Sequence, residues 1–246
     1  MWALGLGLSV LIGVTLGLLG GGGSILTVPI LVYVFGLDPH PAIATSLLVV
    51  GTTSLVALIP HARAGRVNLK TGLTFGVAGM AGAFLAGRVS AYVAGRTLLI
   101  SFAILMVVAA IAMLRGRRDE AELRPLAPLQ TAVLGLVVGS VTGLVGAGGG
   151  FVIVPALVLL GGLPMPVAIG TSLLVIALQS AAGLVGHLGE VDLDWRLAAS
   201  VTAAAILGSF LGSRWAGKFS ASTLRRGFGV FVLLMAAWML FKELRP

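Results

Sequence analysis

Apolar residues run along this chain in blocks separated by short polar interruptions, and the blocks fall into two sets of five. The first set covers residues 2–19, 24–35, 42–60, 71–89 and 97–114. The second covers residues 129–145, 151–160, 167–186, 195–215 and 221–241. Most approach the length of about 20 residues that a helix needs to cross a bilayer. The second block of each set is too short for that and suits a half-helix or re-entrant arm. Turn chemistry separates the blocks. Gly36-Leu-Asp-Pro-His-Pro41 is one turn, and a basic loop holding His61, Arg63, Arg66 and Lys70 is another. The pattern predicts an all-α, polytopic membrane protein.

The two sets are copies. Leu16-Gly-Leu-Leu-Gly-Gly-Gly-Gly-Ser-Ile-Leu-Thr-Val-Pro29 returns as Thr142-Gly-Leu-Val-Gly-Ala-Gly-Gly-Gly-Phe-Val-Ile-Val-Pro155, an offset of 126 residues. Ala42-Ile-Ala-Thr-Ser-Leu-Leu48 pairs with Ala168-Ile-Gly-Thr-Ser-Leu-Leu174 at the same offset. So do Ser54 with Ser180, His61 with His187, Gly82 with Gly208 and Arg88 with Arg214. A period this long marks a duplicated half-protein. The expected organisation is a first membrane repeat over residues 1–114, a charged cytoplasmic linker over 115–126 and a second repeat over 127–246.

Composition sharpens the class. Of the 246 residues, 58% are hydrophobic and only 10% charged, against about 25% charged in a soluble domain. The formal net charge of +8 does not point to nucleic acid, because the arginines sit between apolar blocks, where they set topology. The absence of cysteine removes disulfides, thiolate metal sites and cysteine nucleophiles. Met1-Trp-Ala-Leu-Gly5 has no basic region and reads as the first membrane segment. If each half crosses the membrane an odd number of times, the loops place eleven basic residues inside and five outside; even crossings give ten and six. The loop after the third block is basic in the first half (Arg63, Arg66, Lys70) and mainly acidic in the second (Glu190, Asp192, Asp194). Both observations favour inverted halves.

The glycine clusters are the first candidates for chemistry. Contiguous glycines break a helix. Within a bilayer the freed backbone groups survive only where protein or a wet cavity satisfies them. A paired break therefore points to a transporter binding site, with half-helix N–H groups facing an anion. Gly22, Gly23 and Ser24, with Gly148, Gly149 and Gly150, are expected to line it, and Ser24 is placed to cap the short helix. The competing reading is tight helix packing, as for the spaced pairs Gly13/Gly17 and Gly208/Gly212. Thr45-Ser46 and Thr171-Ser172 are candidate anion contacts, or else hydroxyls bonded back to their own helix. Gln179 lies deep in an apolar block and is either a substrate contact or interhelical glue. His61 and His187 are candidates for proton coupling, or interfacial structural residues. No carboxylate lies clearly within a span. No GxxxxGK[ST] loop, HExxH, GxSxG or metal-spaced cluster occurs, so no enzyme activity, cofactor or metal is implied.

The duplicated glycine-cluster/Pro element followed by Ala-x-Ala/Gly-Thr-Ser resembles the TauE/SafE family of sulfite and organosulfonate exporters over nearly the whole chain. The resemblance implies a secondary transporter in the cytoplasmic membrane that exports a small sulfur-containing anion. It carries over to the glycine clusters and the Thr-Ser pairs. The expected partners are such an anion, the lipid bilayer and, on the strength of His61 and His187 alone, the proton as coupling ion; a homo-oligomer stays open, and nucleic acid is not expected. An anion channel on the same repeats and a non-transporting membrane subunit are the rival readings.

Overall fold

The computed structural model describes residues 2–115, 127–145, 149–187, 191–216 and 218–244, so the linker from 116 and Gly146 to Gly148 lie outside the described residues. The first half folds as α1 (Trp2–Leu19), α2 (Gly22–Tyr33), α3 (Pro39–Arg63), α4 (Leu69–Ser90) and α5 (Gly95–Arg115). The second half folds as α6 (Pro128–Val145), α7 (Gly150–Pro155), α8 (Met165–His187), α9 (Trp195–Ala216) and α10 (Ala221–Leu244). α7 runs on into a single wide turn over Ala156–Leu160. No strand occurs among the described residues. Helices α3, α4, α5, α8, α9 and α10 are long and apolar enough to cross a membrane. The protein is a polytopic all-α membrane protein.

The sequence explains where the helices stop. Asn68 caps α4, its side-chain oxygen accepting the Thr71 N–H at 3.0 Å. Asp194 does the same for α9, accepting from Arg196 N–H and Leu197 N–H, each at 3.0 Å. Pro29 and Pro155 are followed by widened turns. Phe35 N–H reaches Ile30 O and Gly161 N–H reaches Ala156 O, both five residues back. The repeat is thus kept down to its irregular hydrogen bonds.

Small residues set the packing. Gly135, Gly139 and Gly143 of α6 lie on the backbone of Phe75, Gly79 and Ala83 of α4. The same interface recurs between α1 and α9, where Gly13 and Gly17 meet Ala205, Ser209 and Ser213, and Gly208 and Gly212 meet Val10 and Val14. At 126 residues' offset α1 corresponds to α6 and α4 to α9, so each half's first helix packs on the other half's fourth. Glycines at four-residue spacing bring helix backbones close enough for dispersion and Cα–H···O contacts, the main attraction left where lipid is as apolar as the helix.

Contact order along the helices fixes their directions. α2 doubles back on α1, with Gly23 against Leu16 and Phe35 level with Gly5. α4 runs parallel to α8, through Gly72 with Thr171 and Leu174, Gly76 with Leu178 and Gly87 with His187. α3 and α8 cross antiparallel: Gly51 faces Ser180, while Gly183, further along α8, faces Leu47, earlier in α3. α3 and α8 form the centre, and two thirds of each apolar window is buried. α6 shows the opposite face of the design. Its Leu129, Val133, Val137 and Val141 are exposed at four-residue steps, an apolar stripe suited to lipid.

Candidate substrate site

The two breaks come together in the interior. α1 ends at Leu19; Gly20 turns the chain with φ +72°, and Gly21 precedes the first residue of α2. In the second half Gly149, at φ +69°, precedes α7. Left-handed backbone costs a residue with a Cβ roughly 1–2 kcal/mol, so glycine suits both turns. The two breaks then touch backbone to backbone, and a Cβ added at Gly150 would lie 2.6 Å from Gly21 Cα and 2.7 Å from Ile176 of α8. Gly20 abuts Ile169 and Ser172 of the same helix. The breaks therefore sit alongside the first half of α8, away from its ends. Gly22 and Gly23 begin α2, and Gly150 begins α7; Gly148 lies outside the described residues.

Ser24 does not cap α2. The helix starts two residues earlier, and the Ser24 hydroxyl donates back to Gly21 O at 2.7 Å. The glycines enter helical geometry without help, which leaves Ser24 inside the first turn, where a short hydroxyl finds a preceding carbonyl.

The Thr-Ser pairs are buried, and Ser172 lies against the first break. Ser46 Oγ donates to Ile43 O at 2.8 Å. Ser172 Oγ donates to Ile169 O at 2.8 Å and also lies 3.3 Å from Gly20 O, which ties the first break to α8. Thr171 Oγ1 accepts the Asn68 N–H at 2.9 Å, anchoring the α3–α4 loop. Thr45 is buried one residue before Ser46.

Gln179 is 1% exposed. Its Oε1 accepts from Thr142 Oγ1 at 3.4 Å, and its Nε2, against Gly79, has no hydrogen-bond partner. Sequence reasoning missed three further groups of the same kind. Thr53, Ser54 and Ser180 are fully buried, and their hydroxyls also lack partners. Thr53 is the repeat equivalent of Gln179, and Ser54 of Ser180. The signal was present as a polar pair at matching positions in both central blocks. It was obscured because most membrane serines bond back to their own helix, as Ser9, Ser90 and Ser209 do here.

The histidines stand at helix ends. His61 Nε2 lies 3.0 Å from Gly17 O of α1. His187 Nδ1 lies 2.8 Å from Gly183 O, and its Nε2 lies 2.8 Å from the Ser90 hydroxyl. A cavity of about 450 Å³ opens beside His187, lined also by His40, Ser90 and Asp192. Between residues 42 and 60 of α3 and throughout α8 up to His187 no side chain is acidic or basic. Along these two helices the polarity comes from hydroxyls and the Gln179 amide, with His61 and His187 at their ends. Among the described residues no three His, Asp or Glu side chains gather as a metal site.

A family model described as "Sulfite exporter TauE/SafE" matches residues 5–239. The chain is similar to two proteins named "Probable membrane transporter protein" from Xylella fastidiosa strains 9a5c and Temecula1. Each is 36% identical over 243 residues, covering 95% of this chain and 92% of the relative. It is also similar to "Probable membrane transporter protein YunE" of Bacillus subtilis strain 168, 27% identical over 251 residues and covering 92% of each chain. No solved structure matches significantly.

Proposed function

The chain belongs to the sulfite exporter TauE/SafE family, and from that premise we propose that it is a secondary carrier for a small sulfur–oxygen anion. Sulfite, sulfoacetate or a related organosulfonate is the cargo class, export is the direction, and the cytoplasmic membrane is the site of action. It works as a transporter, not as an enzyme. The observation that carries the reading is the meeting of two glycine breaks, one from each half, in an interior without charged side chains. Two helix starts meet there, and the first turn of a helix is where backbone N–H groups are available to an anion. Gly20, Gly21 and Gly149 form the bends, Gly22, Gly23 and Gly150 open the helices that follow, and Gly148 belongs to the same stretch of sequence. Ser172 ties the first break to α8, and Thr45, Ser46 and Thr171 are the further hydroxyls assigned to the site. A neutral site of this kind binds its anion by hydrogen bonds alone and releases it readily. His61 and His187 end the two central helices and are the proposed proton-coupling residues.

The reading predicts ligand stabilisation. Purified protein is heated with sulfite, sulfate, thiosulfate, sulfoacetate or taurine at matched ionic strength. A true cargo at 100 times its Kd stabilises the folded state by about 2.7 kcal/mol. At least one sulfur–oxygen anion should raise the melting temperature where chloride does not. No shift with any of them would remove the sulfur-anion assignment.

The halves are proposed to be inverted in the membrane. The antiparallel α3/α8 crossing, the α1/α2 hairpin followed by three spans, and the sign exchange between equivalent loops all support this. The chain has no cysteine, so Ala64→Cys and Val191→Cys can be labelled singly. A membrane-impermeant reagent should reach the two from opposite sides. Labelling of both from one side would favour parallel halves.

A further inference from the structure

Four polar side chains at the centre of the molecule have nothing to bond to. Thr53 Oγ1, Ser54 Oγ, Gln179 Nε2 and Ser180 Oγ are buried without a hydrogen-bond partner, and the residues are 0%, 0%, 1% and 0% exposed. An unsatisfied buried polar group costs about 1–3 kcal/mol. A protein that keeps four in two adjacent positions, repeated in both halves, carries a large local cost with no structural return.

We propose that this cluster, where α3 crosses α8, is the binding site for the oxyanion's oxygens, resting on the carrier reading above. The position supports it. Gly51 of α3 faces Ser180, and a Cβ there would lie 2.9 Å from Ser180 Cβ. The crossing therefore lies on the line that relates the two halves. Ile176, which touches Gly150 of the second break, is one helical turn before Ser180. Ser180 and the second break thus lie along one face of α8. α3 and α8 come from different halves, so a rocking of one half against the other opens and closes the crossing.

The chemistry selects the ligand class. Thr142 donates to the Gln179 carbonyl oxygen, which leaves the amide N–H groups as the free part. The three hydroxyls are not donating to their own helix and are available as donors. No carboxylate lies on α3 or α8 to hold a cation. Neutral donors from both halves fit a small oxyanion with several acceptor oxygens, and hydrogen bonds to a charged acceptor are the stronger kind. Gly79 shapes the amide's end, since any Cβ there would fall on Gln179 Nε2.

The test uses the whole protein, purified, with sulfite as the probe. Ser54→Ala and Ser180→Ala are each expected to raise the sulfite Kd about tenfold, equivalent to about 1.4 kcal/mol, and the double variant by more. Gln179→Glu, which replaces the free amide with a carboxylate, should abolish binding. Ligand-free Ser54→Ala and Ser180→Ala should melt at or above the wild-type temperature, because each removes an unpaired buried hydroxyl. Ser9→Ala, which removes a buried hydroxyl already bonded to Gly5 O, should leave the Kd unchanged. Wild-type sulfite affinity in the Ser54→Ala/Ser180→Ala protein would overturn this site and leave the carrier reading standing. Absence of binding by the wild-type chain of sulfite and of every other sulfur–oxygen anion in the series above would overturn both.

Discussion

Gly13→Val is expected to cost about 3 kcal/mol of stability or more, at or beyond the upper end of what overpacking does. α1 and α9 meet backbone to backbone, and a Cβ at Gly13 would lie 2.7 Å from Ser209 N and closer still to the Ala205 carbonyl. Nothing flexible is there to move aside. The helices must separate along their length, which forfeits close packing at Gly17, Gly208 and Gly212 as well. The equivalent change in the other half, Gly139→Val, should behave alike, because its Cβ would lie 2.6 Å from Gly79 Cα. Gly7→Ala and Gly227→Ala, where a Cβ meets nothing within 4 Å, should fold as well as the wild type. Thermal melts of detergent-purified protein separate the groups. Equal melting temperatures across all four would mean that helix contact does not hold the halves together.

Gly21→Val is expected to lower transport at least a hundredfold. Gly21 has φ −137°, so its glycine is not needed for backbone conformation. What excludes a side chain is the second break: a Cβ at Gly21 would strike Gly150 and lie 2.8 Å from Phe151 N. The substitution pushes the two helix starts apart while leaving the lipid-facing helices untouched. Gly21→Ala adds a single methyl and should fold while still losing most of the rate. A loss of rate in monodisperse Gly21→Ala assigns the break to function; a wild-type rate assigns it to packing.

The membrane class, the repeat and the helix order were legible in the chain because they rest on long-range regularities. Apolar blocks at bilayer length and a 126-residue offset survive local ambiguity. Helix ends were harder. α3 extends from Pro39 to Arg63, beyond the apolar block at 42–60, because prolines are tolerated in a first turn and the basic residues suit a helix C-terminus. α2 starts at Gly22 where Ser24 had the better capping chemistry, because tertiary contact at Gly21 fixes the start. The break was visible as contiguous glycine. That the two breaks touch was not, since it depends on how α1, α2 and α7 fold back on α8. The hydroxyls divide for the same reason. Ser46 and Ser54 look alike in sequence, yet Ser46 donates to Ile43 O and Ser54 has no partner. Only side-chain orientation tells them apart. Similarly, His187 was legible as a titratable group near a span, but the cavity it shares with His40 of α3 and Asp192 of the α8–α9 loop depends on how the helices pack.

Uptake of radiolabelled sulfite into proteoliposomes tests the central claim most directly. Wild-type protein and Gly21→Ala are incorporated at equal density, and a pH or electrical gradient is imposed with and without ATP. The account predicts saturable, gradient-driven, ATP-independent uptake by the wild type and near-background uptake by Gly21→Ala. Equal uptake by both proteins, or none by folded wild type under any gradient, would contradict it.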